Sequence, residues 1–214
     1  MRQPLPGLGL SLGITWLWLG LVVLVPLAAL VIRPWELGPA GVWAVVTEPR
    51  VLAALRLSFG AALLAALVDL PIGLLVAWVV VHYRFPGRRL LDASVDLPFA
   101  LPTAVAGLAL TALYAPNGWI GAPLAALGVK VAFTPLGVAV ALAFARAVGE
   151  YGSVIFIAGN MPMVSEIAPL LIVVQLEQFD YAAAAAIGLA MLLLSFALLL
   201  GFNLLQRRLR RGLA

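Results

Sequence analysis

The chain has 214 residues, of which 64% are hydrophobic and only 10% charged, and it carries a net charge of +4. A soluble domain has roughly 25% charged residues, so composition excludes an ordinary soluble globule. The absence of cysteine excludes disulfides, thiolate nucleophiles and cysteine-ligated metals. The basic excess does not mark a nucleic-acid partner, because it gathers in two short clusters, Arg84/Arg88/Arg89 and Arg207/Arg208/Arg210/Arg211, with no basic face interleaved by aromatics.

In chain order, the first apolar run is Leu10–Ile32, uncharged and roughly 34 Å long as a helix at ~1.5 Å per residue, enough to cross a bilayer. It is longer than a signal-peptide core and lacks a clear A-x-A site, so it is expected to be a retained span. A polar stretch from Arg33 to Arg50 follows, with Trp35 and Trp43 suited to the interface. The second span, Leu57–Val81, carries Asp69 and Pro71 near its middle and ends in the basic loop His82–Arg89. The third, Leu97–Tyr114, is followed by a Pro- and Gly-rich loop, Ala115–Gly128. Next come the apolar segment Val131–Ala158, which contains Arg146 and Glu150, and the string GNMPMVSE. The run Ala168–Leu176 is too short to cross and is expected to be interfacial or re-entrant. The last span, Ala182–Leu205, leads into QRRLRR. These elements predict an all-α polytopic membrane bundle of about five spans, forming one transmembrane domain over residues 1–214.

Orientation follows from the arginines. With Tyr83–Arg89 in the cytoplasm, the loop Ala115–Gly128 lies outside, and the arginine tail belongs inside. An odd number of crossings must therefore separate them, yet the sequence offers two, Val131–Ala158 and Ala182–Leu205. As a helix, Val131–Ala158 is about 42 Å long, too long for one comfortable crossing and too short for two. It is expected to cross once, either as a long tilted helix or kinked near Gly149–Gly152.

Catalytic constellations are missing from the string: there is one histidine, His82, and no H-E-x-x-H, G-x-S-x-G or G-x-x-x-x-G-K-[ST] motif. His82 reads as an interfacial residue, and neither an enzyme, a metal site nor a cofactor is expected. Asp69 either lines a polar route or is paired locally, its carboxylate meeting backbone N–H groups near Pro71. Asp92 and Asp96 read as helix caps. Arg146 and Glu150 stand four apart and can pair on one helix face; an ion pair and a polar lining of a substrate route are both open.

The strings PRVLAALRLSFGAALLAALVD, HYRFPGRRLLDASVDLPFALPTAVAGLALTALYAPNGWIG, VAFTPLG, ALAFARAVGEYGSVIFIAGNMPMVSEIAPLLIV and FDYAAAAAIGLAMLLLSFALLL resemble the permease subunits of sulfate/thiosulfate ABC importers, T type, over nearly the whole chain. The resemblance implies a six-helix core forming half of a translocation pathway in a bacterial inner membrane. It also implies three partners: a second, W-type permease, ATPase subunits that bind the nucleotide, and a periplasmic sulfate-binding protein. Such permeases carry a cytoplasmic E-A-A-x-x-x-G loop that docks into the ATPase. None of Glu36, Glu48, Glu150, Glu166 and Glu177 is followed by two alanines. By the resemblance, FTPLGVAVAL joins directly to ALAFARAVGEYG, so an internal deletion near 141–146 is expected, and the missing pair of half-spans would also repair the crossing count. Sulfate is a dianion that strong cationic binding would trap, so hydroxyls and amides are the expected path contacts. The candidates are Thr103, Ser153 and Asn160, each beside a helix-loosening residue, with Arg146, Glu150 and Asp69 setting the field.

Overall fold

The computed structural model describes residues 8–91, 103–148 and 152–211, with side chains at 103, 144–148, 152, 153 and 209–211 left undescribed. The described residues are helices joined by turns, divided between two compact units, Met1–Glu48 with Ile172–Ala214, and Pro49–Leu171. Three helical stretches among them are long and apolar enough to cross a membrane: Leu8–Thr47, Pro49–His82 and Tyr181–Arg208. The expected helical-bundle class holds.

In the first unit, α1 (Leu8–Leu19) passes through a π-helical turn, Gly20–Leu24, into α2 (Val25–Ile32). The wide turn sits where Pro26 takes away a backbone N–H, which is the usual place for a helix to relax its i→i−4 ladder. A 3₁₀ turn, Arg33–Leu37, then buries Pro34 and pairs Arg33 with Glu36 at 2.9 Å. It leads into α3 (Gly38–Thr47). The last helix, named α10 below and spanning Tyr181–Arg211, packs against α2, the 3₁₀ turn and α3. Its first turn is capped by Asp180, whose Oδ1 accepts the Ala183 N–H at 2.9 Å. The alanine run is the packing stripe: Ala183, Ala184, Ala186 and Ile187 are buried. A Cβ at Gly188 would come within 2.9 Å of Leu30 Cδ1, so a larger residue there would make that methyl group shift. Small residues let membrane helices close on one another.

The second unit starts with α4 (Pro49–His82) and continues with α5 (Thr103–Tyr114), the short α6 (Gly121–Ala126), α7 (Pro135–Val148), α8 (Gly152–Ala158) and the start of α9 (Ala168–Glu177). Thr134 caps α7: its Oγ1 donates to the Val131 carbonyl at 2.7 Å and accepts the Gly137 N–H at 3.5 Å. Pro135 holds the first helical position, where a missing N–H costs nothing. The core gathers Ala61 of α4, Val138 and Ala141 of α7, Val154 and Ile157 of α8, and Ile167 and Leu170 before and within α9.

Neither form expected for Val131–Ala158, a long tilted helix or a kinked one crossing once, fits the described residues. They form two helices, α7 ending at Val148 and α8 starting at Gly152, and the ends of the segment meet, because the Phe133 N–H donates to the Ile157 carbonyl at 2.8 Å. The α7 and α8 helices pack on each other as a hairpin. They have 14 and 7 residues, roughly 21 and 10 Å at ~1.5 Å per residue, against a ~30 Å hydrocarbon core. A segment that returns to where it entered adds no crossing. Among the described residues between the loop Ala115–Gly128 and the arginine tail, α10 alone is a helix long and apolar enough to cross, since α9 has 10 residues.

Candidate functional site

The six expected path residues divide by what surrounds them. Thr103 opens α5, Arg146 lies in the last turn of α7, and Ser153 lies in the first turn of α8. Their side chains, and all of Glu150, lie outside the described residues, as do Asp92 and Asp96. Asp69 is half-buried on α4 and forms no hydrogen bond or ion pair. The expected bond from its carboxylate to backbone N–H groups near Pro71 is therefore not made. In a helix the amides of the next turn are already engaged, which leaves that carboxylate nothing to accept.

Asn160 stands just past α8 with φ +47°, and its Oδ1 is buried without a partner. Gly159 beside it has φ +69°, a conformation that suits glycine. A Cβ there would also drive into the Phe133 ring, 2.3 Å from Cδ1. The turn after α8 is therefore fixed from both sides, by backbone geometry and by the aromatic ring at the start of the hairpin. Among the expected residues, Asn160 alone presents a described, unsatisfied polar atom in a rigid turn.

That turn is held by side chains the sequence reading did not single out. Glu166 is buried and receives both Nε and Nη2 of Arg50, at 2.8 and 2.7 Å. The two-pronged geometry is the strong form of this contact. Ser165, fully buried, donates its hydroxyl to the Ala158 carbonyl and accepts the Met161 N–H at 3.3 Å. The Met161 carbonyl accepts three amides, from Val164, Ser165 and Glu166. Ser58 of α4 accepts the Ala168 N–H at 2.8 Å and donates to the Ala54 carbonyl. The string GNMPMVSE is thus a self-bonded knot strapped to the first turns of α4 at two points. Glu166, an acid flanked by apolar runs, and Arg50, a base just before a span, were the available signals. Their separation of 116 residues hid the pairing.

No protein-family model matches the chain. Curated relatives do, and three of them serve as examples. "Sulfate transport system permease protein CysT" of Salmonella typhimurium is 40% identical over 98% of this chain and 96% of its own length. The Escherichia coli protein of the same name is 39% identical over the same shares. That of Synechocystis sp. is 38% identical over 94% of this chain and 91% of its own. The chain belongs to the sulfate transport system permease family. It is a multi-pass membrane protein of that family, and one feature sets it apart from its Salmonella and Escherichia relatives. The aligned stretch is 266 residues long, more than the 214 of the whole chain, so several tens of residues of those relatives face no residue here.

Proposed function

We propose that this chain is the T-type permease half of an ATP-driven importer for sulfate or thiosulfate in a bacterial inner membrane. A W-type permease would supply the other half of the pathway, a periplasmic binding protein the substrate, and separate ATPase subunits the energy. The observation that carries the reading is identity near 40% over 98% of the chain to named sulfate permeases, together with apolar spans and basic clusters placed as such a subunit needs. The chain performs no bond chemistry in this reading. Its task is to offer a dianion weak, replaceable contacts between two aqueous sides. Asn160 is proposed as a path contact through its Nδ2, which can donate to an anion without trapping it; its buried Oδ1 is an acceptor and does not serve a dianion. Thr103 and Ser153 are proposed alongside it, with Arg146, Glu150 and Asp69 shaping the potential.

A second reading rests on the unmatched residues. The alignment surplus and the absence of an E-A-A string support an internal deletion near 141–146 that removes the ATPase-docking loop, leaving a coupling-deficient subunit or a non-transporting scaffold. Sulfate-uptake complementation separates the two. The chain is expressed in a strain lacking its own sulfate permease and supplied with the cognate partners. Growth on limiting sulfate supports transport by the chain as it stands. No growth, with normal amounts of protein in the membrane, supports the coupling-deficient form.

A further inference from the structure

The first unit holds a groove of about 380 Å³ between α2, the second half of α9 and α10, a size that suits a small-molecule ligand. Its walls are apolar: Leu30 of α2, Ile172 and Leu176 of α9, and Ala185 and Gly188 of α10. The cation in its lining is Arg33, just past the end of α2, and Tyr181, the first residue of α10, joins it. In the orientation expected from the arginine clusters, α2 runs outward and α10 inward. Arg33 and Tyr181 then stand at the outward boundary of the bilayer, where polar tips on apolar walls belong. Gly188, two turns along α10 at ~3.6 residues per turn, lies about 10 Å deeper. The mouth is not a lone positive charge. Arg33 Nη1 meets Glu36 Oε1 at 2.9 Å, and each of the two side chains is 55% exposed.

We propose that this groove binds a phospholipid whose zwitterionic headgroup carries a primary ammonium, with an acyl chain lying between α2, α9 and α10. The phosphate meets Arg33 and the ammonium meets Glu36. Charge complementarity selects this occupant. An anionic headgroup would face Glu36 as well as Arg33 and gain little net attraction, and a choline headgroup has no N–H to give the carboxylate. The contact between Arg33 and Glu36 leaves further guanidinium donors and carboxylate lone pairs for the two ends of the headgroup. A protein helix suits the groove less well. It would strip water from both half-exposed ions, a cost that its packing must first offset. The small residues that could admit such a helix are also engaged within the unit, since Ala184 is buried and Gly188 lies close against Leu30. Every residue of the site belongs to the first unit, so the proposal depends on neither the transport reading nor the deletion reading.

Native mass spectrometry of the full chain, released from detergent, measures the binding of each added lipid. The probes share palmitoyl and oleoyl chains and differ in headgroup: phosphatidylethanolamine, phosphatidylglycerol and phosphatidylcholine. The chain should bind the ethanolamine lipid several-fold more tightly than the other two. Arg33→Gln should weaken that binding several-fold. Glu36→Gln should turn the preference toward the glycerol lipid, because an unopposed guanidinium then faces the headgroup. Ala185→Leu, which fills the groove, should weaken binding of all three lipids. Thermal unfolding in detergent reports whether that variant folds, and the Arg33 and Glu36 variants, changed at exposed side chains, keep the test decisive if it does not. Equal binding of the three lipids, unchanged by Arg33→Gln, would overturn the proposal and leave only lipid of the general bilayer. Release of the ethanolamine lipid when the W-type permease binds would overturn it too, by naming that subunit as the occupant.

Discussion

Glu166 carries a charge into the buried interior of the second unit, and Arg50 is what makes that tolerable. Stranding a buried carboxylate by removing its partner is costly, about 3–5 kcal/mol. Arg50 keeps 34% of its side chain exposed, so the lower end is the expected cost of Glu166→Ala, about 3 kcal/mol, because the arginine left behind can rehydrate. Arg50→Met should cost more than Glu166→Ala, since it strands the buried member. The paired change Arg50→Met with Glu166→Leu should recover much of the loss. Thermal unfolding in detergent of the four proteins checks this order, and equal costs for the two single changes would contradict it. Asn160 contrasts with Glu166, because its unsatisfied Oδ1 gives it little to lose in stability. In a version with the missing block restored, Asn160→Ala and Ser153→Ala should lower sulfate uptake by up to about tenfold, the loss of one hydrogen bond to a charged group, at unchanged membrane levels. Arg146→Ala should instead disturb folding or gating. Unchanged uptake in all three would move the pathway to other faces of these helices.

At the scale of elements, the hairpin α7–α8 decides how the chain is threaded. A periplasm-active reporter at Gly118 should be active, and one fused after Ala214 inactive, because α10 is then the single crossing between them. An active reporter at both positions would require Val131–Ala158 to cross after all. The long uncharged runs made the spans readable from sequence, since a bilayer leaves a helix little choice. The orientation expected from Arg84, Arg88, Arg89 and the arginine tail is what the reporters test. The hairpin was harder to see, because nothing local in the string says that Phe133 will donate to Ile157. Gly149–Gly152 marked where it could break, but not that its ends would close. The role of the alanine run before Gly188 as a packing stripe appears only when Leu30 stands opposite. The strap of Arg50, Glu166, Ser58 and Ser165 depends on contacts over a hundred residues apart and left no periodic trace. Asn160 was singled out for its place after a glycine, and the structure adds the buried, unpartnered oxygen.

For the molecule as a subunit, the decisive question is what it can hold on to. Pairing between permeases through Gly- and Ala-rich spans is expected. Part of that small-residue surface is spent inside the chain, since Ala183, Ala184 and Ala186 are already buried. The surface left for the W-type partner is therefore the exposed apolar length of the spans. Van der Waals packing over that length does not depend on the missing block. On the deletion reading, contact with an ATPase does, because the E-A-A loop would belong to the residues that have no counterpart here. The two partners should consequently separate in a single experiment. When the tagged chain is purified in detergent from cells that also make the W-type permease and the ATPase, the permease should co-purify in stoichiometric amount. The ATPase should be recovered only at background. Restoring the E. coli block between Ala141 and Arg146 should bring the ATPase back without changing recovery of the permease. ATPase recovered with the chain alone, in stoichiometric amount and without the W-type subunit, would mean that another cytoplasmic surface performs the docking. The loop Tyr83–Arg89 would then be the first place to look, because it is basic, lies on the same side and is present in the chain.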